Sequence, residues 1–250
     1  MRDILYGRHA VCESLRAGRR KPHKVMLAEG VRQTDVVGQI VFLAGQAGVP
    51  VNRTERRNLD RLGNVNHQGV VLETSEYPYS TFDEILAVVQ SRHKVPLLLL
   101  LDLLQDPQNV GSLLRTAEAV GVHGVVIQRR RAVGITPAVV RASAGAVEHL
   151  PVAQVTNLVD TIGRLKAHDV WVAGLEAMRG AQRYDQADLT GPLAVVVGSE
   201  GKGLRRLARE RCDFLLRLPM LGQMTSLNAA VAGSVVLYEV LRQRETRAAG

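Results

Sequence analysis

Three stretches decide the reading of this chain: DPQNVGSLLRTAEAVG from Asp106 to Gly121, VVVGSEGKGL from Val195 to Leu204, and LPMLGQMTSLNAAVA from Leu218 to Ala232. Each sets Gly, Asn, Ser or a charged residue where an apolar strand gives way to a turn or a helix. Ligands of open α/β sheets gather at the carboxyl ends of strands. Three such junctions in one part of the chain therefore point to a single composite site.

Outward from these stretches the pattern alternates. Short apolar strands are predicted at 96–102, 123–128, 170–175, 193–198 and 213–218. Helices are predicted at 109–120, 137–148, 157–168, 203–211 and 226–244. Continuously apolar strands separated by helices imply an α/β fold with a parallel sheet covered on both faces. A smaller α/β unit precedes it. Helical spacing runs from Arg8 to Ala17, a strand from Lys24 to Leu27, and a helix from Val36 to Ala47 that stops at Gly48. Val49–Val51 and Gly69–Glu73 read as strands, with a turn-prone run at 63–68 between them. The expected organisation is a first domain over 1–78, a linker and helix over 79–94 (with the helix from Phe82 to about Ser91), and a second domain over 95–250.

The chain has 250 residues and a formal charge of +8. Residues 1–62 hold twelve Arg and Lys against six Asp and Glu, so +6 of that charge lies in the first quarter. Such a balance favours a polyanionic partner. Cys12 and Cys212 stand alone, which excludes a disulfide framework or a zinc motif and fits a reducing cytoplasm. Arg2 and Asp3 lead directly into the fold, so no signal peptide is read. The apolar run from Val95 to Leu101 is far too short for a bilayer.

The motif residues admit more than one role. Asn109 is suited to cap the helix that follows Pro107, Arg115 could be a solvated helix residue, and Ser226 could cap the last helix with Asn228 at its second position. Gly198, Gly201 and Gly203 allow a sharp turn and a close approach to a ligand. The loop is neither a Walker A motif, since Gly203 follows Lys202, nor a dinucleotide fingerprint, since its glycines are spaced G-x-x-G-x-G. It is either a ligand loop or a plain strand-to-helix turn.

Together and in this order, the three stretches resemble the motifs of the SpoU/TrmH family of RNA ribose 2′-O-methyltransferases, within the SPOUT superfamily. The match spans roughly Val95 to Arg244. The pattern is closest to the RlmB-like group, which methylates a guanosine in the peptidyl-transferase region of 23S rRNA. The resemblance implies a deep trefoil knot, S-adenosylmethionine as methyl donor, no metal, and a homodimer whose subunits share each active site. It assigns catalysis to Arg115, oriented by Asn109 and Glu200, and places Ser226 and Asn228 beside the target nucleotide. Gly198, Leu218 and Leu227, with Leu175, Glu200, Gly201 and Met220, are its donor-binding positions. Ala229-Ala230 stand where relatives often carry Val-Ser. YGRHAVCESL, the strand near Val25 and NVNHQGVV are similar to the substrate-binding domain joined to many members, which implies rRNA capture; an ordinary α/β domain with a basic surface is the alternative. The implied partners are 23S rRNA and a second copy of the chain, with no membrane, and the ribose 2′-hydroxyl excludes DNA.

Other readings stay open. Transfer-RNA methylators and antibiotic-resistance rRNA methylators share these motifs. A non-catalytic ribosome-binding protein would keep the basic domain but not need the Asn109, Arg115, Glu200, Ser226 and Asn228 set. A nucleotide-dependent enzyme would need glycine spacings that the loop lacks.

Overall fold

The structure, a computed structural model, describes residues 2–63, 65–91 and 95–249. Asn64 of the expected 63–68 turn and residues 92–94 of the expected linker lie outside the described residues. In chain order the first elements are β1 (Arg2–Tyr6), α1 (Arg8–Ala17), β2 (Pro22–Ala28), α2 (Asp35–Gln46), β3 (Val51–Thr54), α3 (Arg56–Asp60), β4 (Val70–Ser75) and α4 (Phe82–Ser91). Then come β5 (Leu97–Asp102), α5 (Pro107–Ala119), β6 (Gly124–Gln128), α6 (Pro137–Ala142), a 3-10 turn (Ala146–His149), β7 (Val152–Val155) and α7 (Leu158–Lys166). The last are β8 (Trp171–Leu175), β9 (Gln182–Arg183), β10 (Leu193–Gly198), α8 (Arg206–Arg211), β11 (Phe214–Arg217) and α9 (Ala229–Ala249). Two compact units result: Met1–Pro78 with Ile135–His149, and Tyr79–Gly134 with Leu150–Gly250.

The first unit holds a four-stranded sheet in the order β1-β4-β2-β3, antiparallel except for the β2–β3 pair. Leu5, Val25, Leu27 and Leu72 are buried in it. Helix α1 packs on α2. Thr34 caps α2 through Val37 N at 3.4 Å, and the chain leaves that helix through Gly48 at φ +65°, the left-handed exit that glycine permits. Strand β1 and helix α3 were not predicted. Each is five residues long, too short for periodicity to register.

The excursion Ile135–His149 belongs to this first unit. The helix expected over 137–148 is broken. Ala144 and Gly145 take φ +53° and +88°, and a Cβ at Gly145 would sit 2.6 Å from Glu13 Cβ and 3.1 Å from His9 O of α1. The helix ends there so that the backbone can close on α1. Glu148, on the 3-10 turn, is fully buried and accepts two hydrogen bonds from Arg20 Nε, at 2.9 and 3.1 Å. Arg20 Nη1 also donates to Asp3 Oδ2 at 2.7 Å and to Ser75 O at 3.0 Å, and the guanidinium lies over the Tyr77 ring. Burial pushes the Glu148 carboxyl above its ordinary range, against the pull of Arg20.

The second unit is built on a seven-stranded sheet in the order β7-β6-β5-β10-β8-β11-β9, and every pairing is parallel. The sheet interior is aliphatic: Leu98, Leu100, Val126, Val172, Ala194 and Val196 join one core cluster with Ile162 and Leu165 of α7. Strand order reverses at β5 and β10. From β5 the chain steps outward to β6 and β7, and it later returns to insert β10 between β5 and β8. A parallel sheet places its ligand crevice at such a switch. The predicted strands of this half are present within a residue or so of their expected limits. Strands β7 and β9 were missed, at four and two residues. No helix among the described residues is long and apolar enough to cross a membrane.

The Arg20–Glu148 pair gives a prediction for the first unit. Removing Glu148 leaves the buried Arg20 guanidinium with only the partly exposed Asp3 as an acid partner, and breaking a buried pair costs about 3–5 kcal/mol. Glu148→Ala is expected to lose that much stability in chemical denaturation, while Arg20→Met with Glu148→Leu recovers most of it. A loss below about 1 kcal/mol in the single variant would count against the pair as the tether of the excursion.

Candidate active site

The caps of two helices bring the first and third motif stretches together. Asp106, not Asn109, is the N-cap of α5: its carboxylate accepts Gln108 N at 3.1 Å and Asn109 N at 3.3 Å, with Pro107 at the first helical position. The Asn109 side chain is thereby released for other contacts. Helix α9 starts at Ala229 rather than Ser226, and Asn228 caps it, its Oδ1 accepting Ala230 N at 2.9 Å and Val231 N at 3.2 Å. The remaining amide group of Asn228 donates to Asn109 Oδ1 at 2.8 Å, and Asn109 Nδ2 donates to Glu200 Oε1. One asparagine in the first turn of α5 thus bonds to the glycine loop on one side and to the start of α9 on the other.

The glycine loop is a tight reversal after β10. Ser199 N donates to Gly203 O at 3.1 Å and Gly203 N to Ser199 O at 2.9 Å. A Cβ at Gly198 would lie 2.3 Å from the carbonyl carbon of Gly203 and 2.5 Å from Leu204 N. Gly203 has φ +62°, and its own Cβ would meet Glu176 Oε1 at 2.6 Å. Glu176, just past β8, accepts Leu204 N at 2.9 Å and so holds the far end of the loop. Asp102, at the end of β5 and fully buried, accepts Arg205 N at 2.9 Å and Arg205 Nε at 2.8 Å. Two carboxylates at the ends of the strands that flank β10 thus fix the exit of the loop into α8.

These parts enclose a cavity of about 230 Å³ at the carboxyl ends of β8, β10 and β11. Leu175, Leu218, Met220 and Leu227 provide apolar wall, Gly198, Gly201 and Gly203 provide backbone, and Glu200, Ser226 and Arg217 bring polar groups. All seven expected donor-binding positions, together with Ser226, line it. Asn109 and Asn228 are joined to it through Glu200. Arg115 is apart. It lies six residues beyond Asn109, about 9 Å along α5, is exposed, and makes no hydrogen bond or ion pair with the described residues.

Glu176, Asp102 and Arg205 were missed by the sequence reading. The signal for Asp102 was present, since a single acid closing a run of five leucines is conspicuous. Glu176 carries no local signal, because its partner is 28 residues away. Beneath the site, burial pushes the Cys212 thiol up to about 12, which removes it as a nucleophile at neutral pH.

Residues 96–238 match the SpoU rRNA Methylase family, and residues 4–80 match the family described as RNA 2′-O ribose methyltransferase substrate binding. YacO of Bacillus subtilis (strain 168), named for the TrmH family of tRNA/rRNA methyltransferases, is 44% identical over 244 residues, covering 97% of this chain and 96% of its own. Among solved structures, the SpoU methyltransferase AviRb from Streptomyces viridochromogenes, in complex with the cofactor AdoMet, is similar over 98% of this chain and 91% of its own, with a TM-score of 0.80 at 23% identity. An RNA 2′-O ribose methyltransferase is similar over 98% of this chain and 89% of its own, with a TM-score of 0.77 at 26% identity.

The backbone contact at Gly198 predicts a sharp position effect. Gly198→Ala is expected to lower stability by about 1–3 kcal/mol, since backbone rather than a flexible side chain must yield. Gly163→Ala, in the interior of α7 with nothing within 4 Å of its Cβ, is expected to gain about 0.5–1 kcal/mol. Denaturation followed by the fluorescence of Trp171 compares the two; equal effects would show that the loop tolerates the methyl group.

Proposed function

The chain belongs to the SpoU rRNA methylase family, and from that premise we propose that it methylates a ribose 2′-hydroxyl of 23S rRNA, a guanosine in the peptidyl-transferase region, with S-adenosylmethionine as donor. The observation that carries the reading is the joining of all three motif stretches at one cavity through Asn109, Glu200 and Asn228. The cavity suits the donor: a Cβ-free backbone cradle at Gly198 and Gly203, with apolar walls at Leu175, Leu218 and Leu227. When bound, the donor supplies a methyl group already activated on a sulfonium, so no metal is required.

The work left to the protein is on the acceptor. As the 2′-oxygen forms its new bond to carbon, its proton must leave, and a group nearby must hold the developing negative charge. Arg115 is the residue proposed for this. A guanidinium is a donor with no acceptor site, so Arg115 acts by stabilising the alkoxide or by passing the proton through the target phosphate. Asn109 and Glu200 are proposed to orient Arg115, and Ser226 and Asn228 to flank the target nucleotide. Residues 4–80, matching the substrate-binding family, carry +4 of the net charge of +8, concentrated before residue 62, and are proposed to capture the rRNA. The topology proposed for the motif loops, on the strength of family membership, is the trefoil knot.

We propose further that the enzyme is a homodimer with shared sites. Helix α9 buries Ala230, Val236, Leu237 and Val240 yet exposes Val231 by 50%, Val235 by 37% and Tyr238 by 54%. It packs on α5, the helix of Arg115. A second subunit on this face would cover the apolar residues and bring Arg115 to the cavity that its own chain leaves without it.

Mapping of 2′-O-methyl positions in total RNA tests the substrate. Deletion of the gene is expected to remove one mark from the peptidyl-transferase loop of 23S rRNA. Wild type restores it and Arg115→Ala does not, with transfer reduced at least about 100-fold and donor affinity in calorimetry unchanged. Arg115→Lys is expected to be nearly as poor, because a point charge does not replace a planar fork. A missing transfer-RNA mark instead would move the substrate to tRNA, and near-normal transfer by Arg115→Ala would remove its catalytic role.

The dimer is tested by mixing two inactive chains. Arg115→Ala combined with Gly198→Ala is expected to recover activity, since one mixed site then contains both intact parts. A protein that is monomeric at micromolar concentration and fully active would overturn shared sites.

A further inference from the structure

Strand β6 runs directly into Arg129-Arg130-Arg131, three consecutive exposed arginines. They lie on the same edge of the sheet as the cavity. Strand β6 is the parallel neighbour of β5, with Leu100 opposite Val126, and β5 feeds the first motif. None of the three side chains makes a hydrogen bond or ion pair with the described residues. The carboxylates on that edge are already engaged: Asp102 by Arg205, Asp106 by the start of α5, Glu176 by Leu204 N and Glu200 by Asn109. Three adjacent cations therefore repel one another with no local acid to offset them.

The loop that carries them is held rather than loose. Leu103 N donates to Gln128 Oε1 at 3.2 Å, Gln105 Nε2 donates to Arg131 O at 3.0 Å, and Val133 N donates to Leu104 O at 3.0 Å. Arg129 N also donates to Val155 O of β7 at 2.9 Å. Arg131 at φ +62° and Leu103 at φ +60° are both left-handed without being glycine. Such strain costs about 1–3 kcal/mol per residue and persists only where the surroundings over-determine it, which they do at functional sites. The loop before the first motif and the arginine loop are thus laced into one rigid ledge.

We propose that Arg129, Arg130 and Arg131 form an RNA-phosphate clamp on the catalytic unit itself, gripping the backbone beside the target nucleotide. This rests on the RNA-methyltransferase reading. It adds a second anchoring point to the one assigned to the N-terminal unit. Its purpose is geometric: a nucleotide held on the ledge that leads into Asn109 is positioned by the same loop that positions the motif. Arginine suits phosphate through its fork of donors.

The test uses the full chain and a fluorescein-labelled RNA stem-loop, read by anisotropy at rising salt. The variant combines Arg129→Gln, Arg130→Gln and Arg131→Asn, asparagine being tolerant of the left-handed backbone. Affinity is expected to fall about tenfold or more, and the salt slope to shrink by roughly 2, as three phosphate contacts are lost. Lysine at all three positions is expected to restore the slope, since counterion release follows charge. Calorimetric affinity for S-adenosylmethionine and the oligomeric state are expected to stay as in wild type. An unchanged slope overturns the clamp, and so does a variant that loses donor affinity or changes its oligomeric state along with RNA binding. The readout is binding rather than transfer, so a wild-type protein that binds the RNA but transfers no methyl group counts against the enzymatic reading alone.

Discussion

The site depends on backbone meeting backbone at Gly198. The carbonyl of Gly203 occupies the space where a side chain would stand, so the loop folds flat over the end of β10. Everything around the cavity follows from that closure. The loop turns within five residues, Glu200 is presented toward Asn109, and Leu204 is delivered to the carboxylate of Glu176. The same constraint recurs one strand over at Gly174, where a Cβ would strike Leu204, Leu215 and Cys212. It recurs again where α9 crosses, since a Cβ at Gly233 would meet Leu113 Cδ1 at 2.8 Å and Val197 Cγ2 at 3.1 Å. The small residues here are spacers that set interlayer distances, and their freedom of φ is secondary at Gly174 and Gly233.

A second layer of order comes from how helix caps are allocated. An N-cap satisfies backbone donors that a helix cannot satisfy alone. In α5 that duty falls to Asp106, and in α9 to Asn228. With Asp106 capping, Asn109 can bridge; with Asn228 using only its oxygen for the cap, its amide nitrogen can reach Asn109. A structural requirement and a functional geometry are met by the same few atoms. The side chains of the site are therefore fixed by the folding of two helices, which is the pre-organisation that positioning chemistry needs.

Much of this was legible in the sequence, for identifiable reasons. The parallel sheet announced itself through runs such as LLLLLD and LAVVVG, whose continuous apolarity suits strands buried on both faces. The residues lining the cavity were legible because the motifs are contiguous, so Gly198, Leu218 and Leu227 came with their neighbours. What stayed hidden was long-range. Glu148 reads as an ordinary polar residue in a helix until Arg20, 128 positions away, is placed beside it. The cap of α5 was read one turn too far along because Asp106 and Asn109 are both good caps, and only the geometry chooses. Strands as short as β7 and β9 carry no periodicity, since they exist by pairing with neighbours already in place.

The membership of Ile135–His149 in the first unit has a consequence for how the chain is made. The polypeptide passes from one unit to the other three times, after Pro78, after Gly134 and after His149. A ribosome that has finished residue 78 has not finished that unit, because Arg20, paired with Asp3 alone, still awaits its fully buried partner Glu148. By the time Glu148 emerges, β5, α5 and β6 of the second unit have been synthesised as well. Vectorial folding, one domain after another from the N-terminus, is closed to this chain. Its two units must mature in overlapping time, and the high sequence separation of the buried pair places the closing of the first late in that process.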